Sequence, residues 1–260
     1  MARSVHLTHA PLLLVLAQVR FSTVLKMEEF LPEIQEQLRN SGLPKFRKVQ
    51  TETETRLFGA EQPSRLTRDS HWEFAAKDDR TVATLGTNSI SLSTTVYHTI
   101  GEFAEALAKV LETVRTAANV TLRERIGLRY VNAIVPSSGK VLSDYIVDEV
   151  LGFSFGELGL NAASSVAVNV GNSSLGTFVM RSIRLPRGSV LPPDLSSLRL
   201  ETDKPLTVEQ EFCCLDFDHF NEGTKDFDVA QTMKEFEELH ELIERAFNAA
   251  VKPDAMKEWK

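Results

Sequence analysis

The most constraining feature of the chain is a change of hydrophobic period near residue 120. Phe103, Leu107, Val110, Leu111, Val114 and Ala117 recur at spacings of three and four, which places them on one stripe of a helix over residues 100–120. Residues 123–135 then alternate. Ile126, Leu128, Tyr130, Asn132 and Ile134 fall on one side of an extended strand, and Arg123, Arg125, Gly127, Arg129, Val131 and Ala133 on the other. A long amphipathic helix feeding a long two-sided strand needs a sheet to join and a face to cover, so the chain is restricted to folds in which helices lie over a sheet.

The rest of the chain repeats this theme. Residues 11–22 open with an apolar run and end in alternation at Gln18, Val19, Arg20 and Phe21; they read as a strand rather than a signal peptide and are too short to cross a bilayer. A helix is predicted over 23–40 with Pro32 near its first turn, an exposed or edge strand over 49–57, a hairpin over 71–85, and a serine-faced strand over 88–93. A turn at Pro136, Ser137, Ser138 and Gly139 is the best boundary. Beyond it come a short helix over 141–151, a hairpin over 165–185, strands over 198–202 and 208–218, and a last amphipathic helix over 229–251. The predicted class is α+β, with antiparallel sheets packed by long amphipathic helices. The halves are 1–136 and 137–260, either separate or folded as one compact unit. Each half ends a set of short strands with one long helix. This is the pattern of a duplicated unit, and also what two unrelated amphipathic helices would give.

Composition narrows the partners. A net charge of −7 argues against non-specific binding to nucleic acid or an anionic membrane. The acidity is concentrated in residues 201–260, with 16 acids against 7 bases, as a solvated face or a surface for a basic partner. The two cysteines, Cys213 and Cys214, are adjacent, so on a strand they point to opposite faces and do not bridge. They lack a CxxC or a nearby His pair; no zinc site or cofactor is predicted, and reduced thiols fit a cytoplasmic protein. His6, His9, His71 and His98 have no metal-ligand spacing. Ser154, flanked at two residues by Gly152 and Gly156, lacks the strand-to-helix turn of a nucleophile elbow.

Two stretches place polar residues where chemistry could occur. Arg123, Arg125 and Arg129 form a cationic row facing an anion or an acidic partner, or they pair with carboxylates on a neighbouring strand. Asn132, on the apolar side, must satisfy its amide through backbone or mark a pocket. Asp216 and Asp218 share one face of the later strand, roughly 7 Å apart. They suit a divalent cation if a third ligand arrives, or a pair of salt bridges. The Asp face of that strand and the Arg face of 123–133 are expected to lie against each other. His240 stands beside the last helix's apolar stripe, one turn after Phe236, as a core-edge histidine or a ligand.

Taken in order, Pro11-Leu12, Gln18-Val19-Arg20-Phe21, the serine-faced strand, Tyr97 before its helix, Leu128-Arg129-Tyr130-Val131-Asn132, Leu215-Asp216-Phe217-Asp218 and Leu239-His240 resemble a sporadically distributed bacterial protein family of uncharacterised function. The resemblance spans nearly the whole chain. One departure is Leu14, where such proteins carry an acidic residue. The resemblance implies an accessory role such as phage defence, immunity or neutralising a toxin. It also draws attention to Arg129, Tyr130, Asn132, Asp216, Asp218 and His240. The function read from the chain is a non-catalytic cytoplasmic binding protein whose partner is another protein. Its hypothetical binding residues are Arg125, Arg129, Tyr130, Asn132, Asp216, Asp218 and His240. The alternatives are a metal-dependent hydrolase or nuclease using Asp216 and Asp218 with His219 or His240 nearby, and a sensor of a small anion through the arginine row.

Overall fold

The computed structural model describes residues 9–55, 65–153, 158–160 and 164–260; the readings at His6, Ser154 and the end of the predicted 49–57 strand lie outside them. The first circuit of the chain is β1 (Leu12–Phe21), α1 (Met27–Asn40), β2 (Lys45–Thr55), β3 (Arg65–Ala75), β4 (Thr81–Leu85), β5 (Ser89–Thr94) and α2 (Ile100–Ala117). The second is β6 (Leu122–Ile134), α3 (Asp148–Leu151), β7 (Ser165–Asn172), β8 (Thr177–Leu185), β9 (Gly188–Ser189), β10 (Thr207–Val208), β11 (Phe212–Asp226), α4 (Val229–Ala250) and α5 (Pro253–Glu258). Nine strands form one antiparallel sheet in the order β2-β3-β4-β5-β1-β6-β11-β8-β7, and β9 pairs with β10.

The two circuits follow one path. Each starts at the centre, with β1 and β6 side by side, and travels out to an edge. Each returns to lay its last long strand, β5 or β11, beside its first, then exits into a long helix. The helices α2 and α4 meet over the sheet. Burial follows from this. Val15, Ala17, Val19 and Phe21 of β1, Leu128 of β6 and Phe217 of β11 pack under Leu107, Leu111, Phe236 and Leu239 of the helices. On the other face, Leu13, Leu14, Val131, Phe212 and Cys214 are covered by Val190, Leu195 and Val208, which belong to the segment 186–211. β1 is thus covered on both sides near its start, which explains the unbroken apolar run that precedes its alternation.

Local signals explain the ends. Thr99 caps α2 by accepting from the Glu102 N–H (3.2 Å), and Asn119 at φ 47° reverses the chain behind it. Asp228 caps α4 through the Gln231 N–H (2.8 Å). Three expectations are corrected. α1 starts at Met27, so Pro32 lies inside the helix rather than in its first turn, and the Glu28 carbonyl is left without its helical donor. The predicted 141–151 helix is a 3-10 turn at Leu142–Asp144 followed by the single turn α3. Residues 198–202 form no strand; Leu198 and Leu200 instead pack on the second core. None of the described helices is long and apolar enough to cross a membrane.

Candidate binding face

β6 and β11 run side by side at the centre of the sheet, in a register that pairs Val131 with Asp216, Arg129 with Asp218, and Leu128 with His219. Side chains at Arg125, Arg129, Asp216 and Asp218 therefore share the face turned away from the helices, and the Arg and Asp faces are adjacent. Arg129 donates through Nε to Asp216 Oδ1 (2.7 Å) and through Nη2 to Oδ2 (2.8 Å). It also grips Asp194 of the covering segment, from Nη1 to Oδ2 (2.6 Å) and Nη2 to Oδ1 (3.1 Å). Arg181 of β8 adds a bond to Asp216 Oδ2 (2.9 Å). Asp216 is fully buried. Burial works against the Arg129 charge, but its hydrogen bonds to Asp194 and Asp216 outweigh it and push its pKa up. The same bond from Arg129 holds Asp194 below the ordinary carboxylate range. This constellation is a clasp that fixes the covering segment to the sheet.

The next step along the strands is different. The Arg125 guanidinium lies flat above Gly127, where a Cβ would come within 2.8 Å of its Nη1. It stacks 4.4 Å from the centre of the Phe220 ring, donates to Gln18 Oε1 (3.3 Å), and approaches Glu222 (3.7 Å) and Asp218 (4.0 Å). Burial lowers the Arg125 pKa. Among the described residues Asp218 has only that 4.0 Å ion pair, with its side chain 17% exposed, and burial raises its pKa. A largely buried polar group normally has at least one hydrogen-bond partner. Asp218 is thus a carboxylate with unspent hydrogen-bonding capacity beside Arg125, outside the clasp.

Arg123 does not belong to this row. The pairing slips between Arg20 and Phe21 on β1 and between Glu222 and Lys225 on β11. The extra residue, Glu124, turns Arg123 to the helix side, where it bonds Glu235 of α4 (2.8 Å). Lys225 joins the same carboxylate (3.0 Å).

The remaining candidates point toward the helices. Asn132 donates to the Leu215 carbonyl (3.3 Å). Tyr130 Oη donates to Tyr97 Oη (3.0 Å) and lies 3.0 Å from His240 Nδ1, so the histidine must donate at Nδ1. Burial lowers the His240 pKa and raises Tyr97 to about 12 and Tyr130 well above its usual value. Tyr97 reaches a cavity of about 180 Å³ lined also by Leu92, Thr99, Glu102 and Phe103. His219 is buried on the helix side, where Nδ1 meets the Leu239 carbonyl (3.1 Å) and Nε2 meets Ser173 Oγ (2.9 Å). Neither histidine faces the aspartates. Among the described residues no group of three His, Cys, Asp or Glu side chains could hold a metal ion, and the oxygens of Asp216 are already bonded to guanidinium groups.

No protein-family model and no curated protein matches the chain.

Several residues that complete the clasp and its neighbour carry no signal in the sequence. Asp194 sits in a Pro-rich loop, Arg181 in a hairpin strand, and Gly127 matters only because Arg125 lies across it. The cysteines do follow the strand's alternation. Cys213 lies in the main core, its thiol pushed up to about 11 by burial, and Cys214 lies in the second core.

Proposed function

We propose that this chain is a non-catalytic cytoplasmic binding protein that docks another protein on the sheet face around Arg125 and Asp218. The observation that carries this reading is the Arg125–Asp218 pair on the sheet face turned away from the helices, where among the described residues Asp218 accepts no hydrogen bond. Charged groups held off full pairing are costly to the free protein, and a partner supplying complementary donors and acceptors would recover that cost. The clasp formed by Arg129, Asp216 and Asp194 keeps the floor of the face rigid beside it. An accessory phage-defence, immunity or antitoxin role is the finer proposal. It rests on the family resemblance alone, and a neighbouring gene for a toxin or nuclease would support it.

The test compares tagged wild type with Arg125→Glu, Gly127→Ala and Asp218→Asn, after melting curves show that each is folded. Glu33→Lys, on the exposed side of α1, serves as control. A protein that co-purifies with wild type and control, and binds the three face variants at least about tenfold more weakly, supports the reading. Equal binding by Arg125→Glu overturns it.

Two other readings have less support. For metal-dependent hydrolysis, Asp216 is occupied by Arg129 and Arg181. For anion sensing, Arg129 already faces two carboxylates and Arg123 lies on the far side of the sheet.

A further inference from the structure

The two edges of the nine-stranded sheet differ sharply. β2, at one edge, reads Lys-Phe-Arg-Lys-Val-Gln-Thr-Glu-Thr-Glu-Thr, and charge of that density is the usual protection against a foreign strand. β7, at the other, reads Ser-Val-Ala-Val-Asn-Val-Gly-Asn, without a charge or a proline. Its pairing with β8 runs from Ser165–Arg184 to Asn172–Thr177 without a register shift, so no bulge twists it away. Val166, Val168 and Val170 are 66%, 57% and 66% exposed.

The phase of the hairpin decides which backbone groups stand free. The Ser173 N–H donates to the Gly176 carbonyl (2.7 Å). Because hydrogen-bonded and non-hydrogen-bonded pairs alternate in an antiparallel ladder, Val170, Val168 and Val166 fall at positions whose N–H and C=O point away from β8. The same three residues present exposed apolar side chains on one face and, among the described residues, main-chain groups unpaired at the sheet edge.

We propose that β7 pairs antiparallel with β7 of a second copy of this chain, about a two-fold axis at Val168. This goes beyond the binding face proposed above and does not depend on it. The pattern Val-Ala-Val-Asn-Val is palindromic in its valines. A two-fold therefore sets Val168 against its own copy and Val166 against Val170, with all six valines on one face and about six new main-chain hydrogen bonds. The charges beside the strand do not oppose this approach, since Arg181 is bonded to Asp216 and Arg184 to Glu211. Two copies of a chain with net charge −7 can meet along this uncharged line.

Light scattering behind size exclusion at micromolar concentration tests the proposal. Wild type should run at twice the chain mass of 29.0 kDa, and Val168→Lys, which sets two like charges opposite each other, at the chain mass with an unchanged circular dichroism spectrum. Under mild oxidation Val168→Cys should give a disulfide-linked dimer, whereas Asn169→Cys, off the axis, should not. Cys213 and Cys214 are buried and do not compete. A monomeric wild type, a dimer insensitive to Val168→Lys, or an open series of higher oligomers would each overturn the pairing.

Discussion

Removing Arg129 tests the clasp most directly. In Arg129→Met the fully buried Asp216 keeps only its bond to Arg181, and Asp194, 62% exposed, returns to solvent. Releasing an exposed carboxylate costs well under 1 kcal/mol. Leaving a buried one short of its main partner costs about 3–5 kcal/mol, and the surviving Arg181 bond places the outcome near the low end, roughly 3 kcal/mol. For a chain of this size that corresponds to a fall in Tm of about 6–12 °C. Urea denaturation should show the same loss as a lower midpoint at unchanged slope. The double variant Arg129→Met, Asp216→Leu removes both charges and should recover most of the loss, because replacing a buried pair by apolar groups is often neutral. Limited proteolysis should also find residues 186–211 cut faster in the single variant. A double variant as unstable as the single one would refute the reasoning, since the cost would then lie in lost packing rather than in a stranded charge.

Four further outcomes follow from the same geometry. Burial makes folded Asp218 hold its proton more tightly than the unfolded chain does, so ionisation above the unfolded value of about 3.9 costs the folded state stability. Asp218→Asn should therefore melt higher than wild type at pH 7 and lose that advantage by pH 3; a lower melt at pH 7 would contradict this. His219 and His240 have pKa values lowered by burial, so their contribution is full above about pH 6.5 and is lost as pH falls and the unfolded chain takes up protons. The urea midpoint should drop less between pH 7.5 and 5.5 in His240→Gln than in wild type. In Gly176→Ala the new Cβ would overlap the Phe220 carbonyl oxygen and lie 2.9 Å from Asn221 Cα, both backbone atoms that cannot swing aside; a loss of about 2–3 kcal/mol is expected by thermal melting. Cys213 and Cys214 should react with a thiol reagent only after denaturation, given their burial.

The helix-to-strand transition at residue 120 was legible because both of its periods depend on neighbours in the chain. So was the meeting of Arg129 with Asp216, since parity along two strands decides which side chains share a face. Parity holds only while the ladder is regular. The bulge at Glu124 has no glycine to announce it, and so parity alone puts Arg123 in a row it does not join. Asp194 was illegible for a different reason. It lies in a loop with no period and meets Arg129 only because Leu195 and Val190 bury themselves on the second core. His240, likewise, meets Tyr130 because α4 passes over the sheet and not through any local pattern.

The central seam between β1 and β6 also has a consequence in time. Val15 pairs with Thr94 on one side and Tyr130 on the other, so β1 waits for neighbours made much later. A nascent chain that has delivered α2 can complete its first circuit while the inner edge of β1 is still bare. At synthesis rates of about 5–20 residues per second the thirteen residues of β6 take about one second to emerge. During that interval the edge exposes unpaired backbone beside Val15, Ala17 and Val19, making the order of synthesis a hazard that the finished molecule no longer displays.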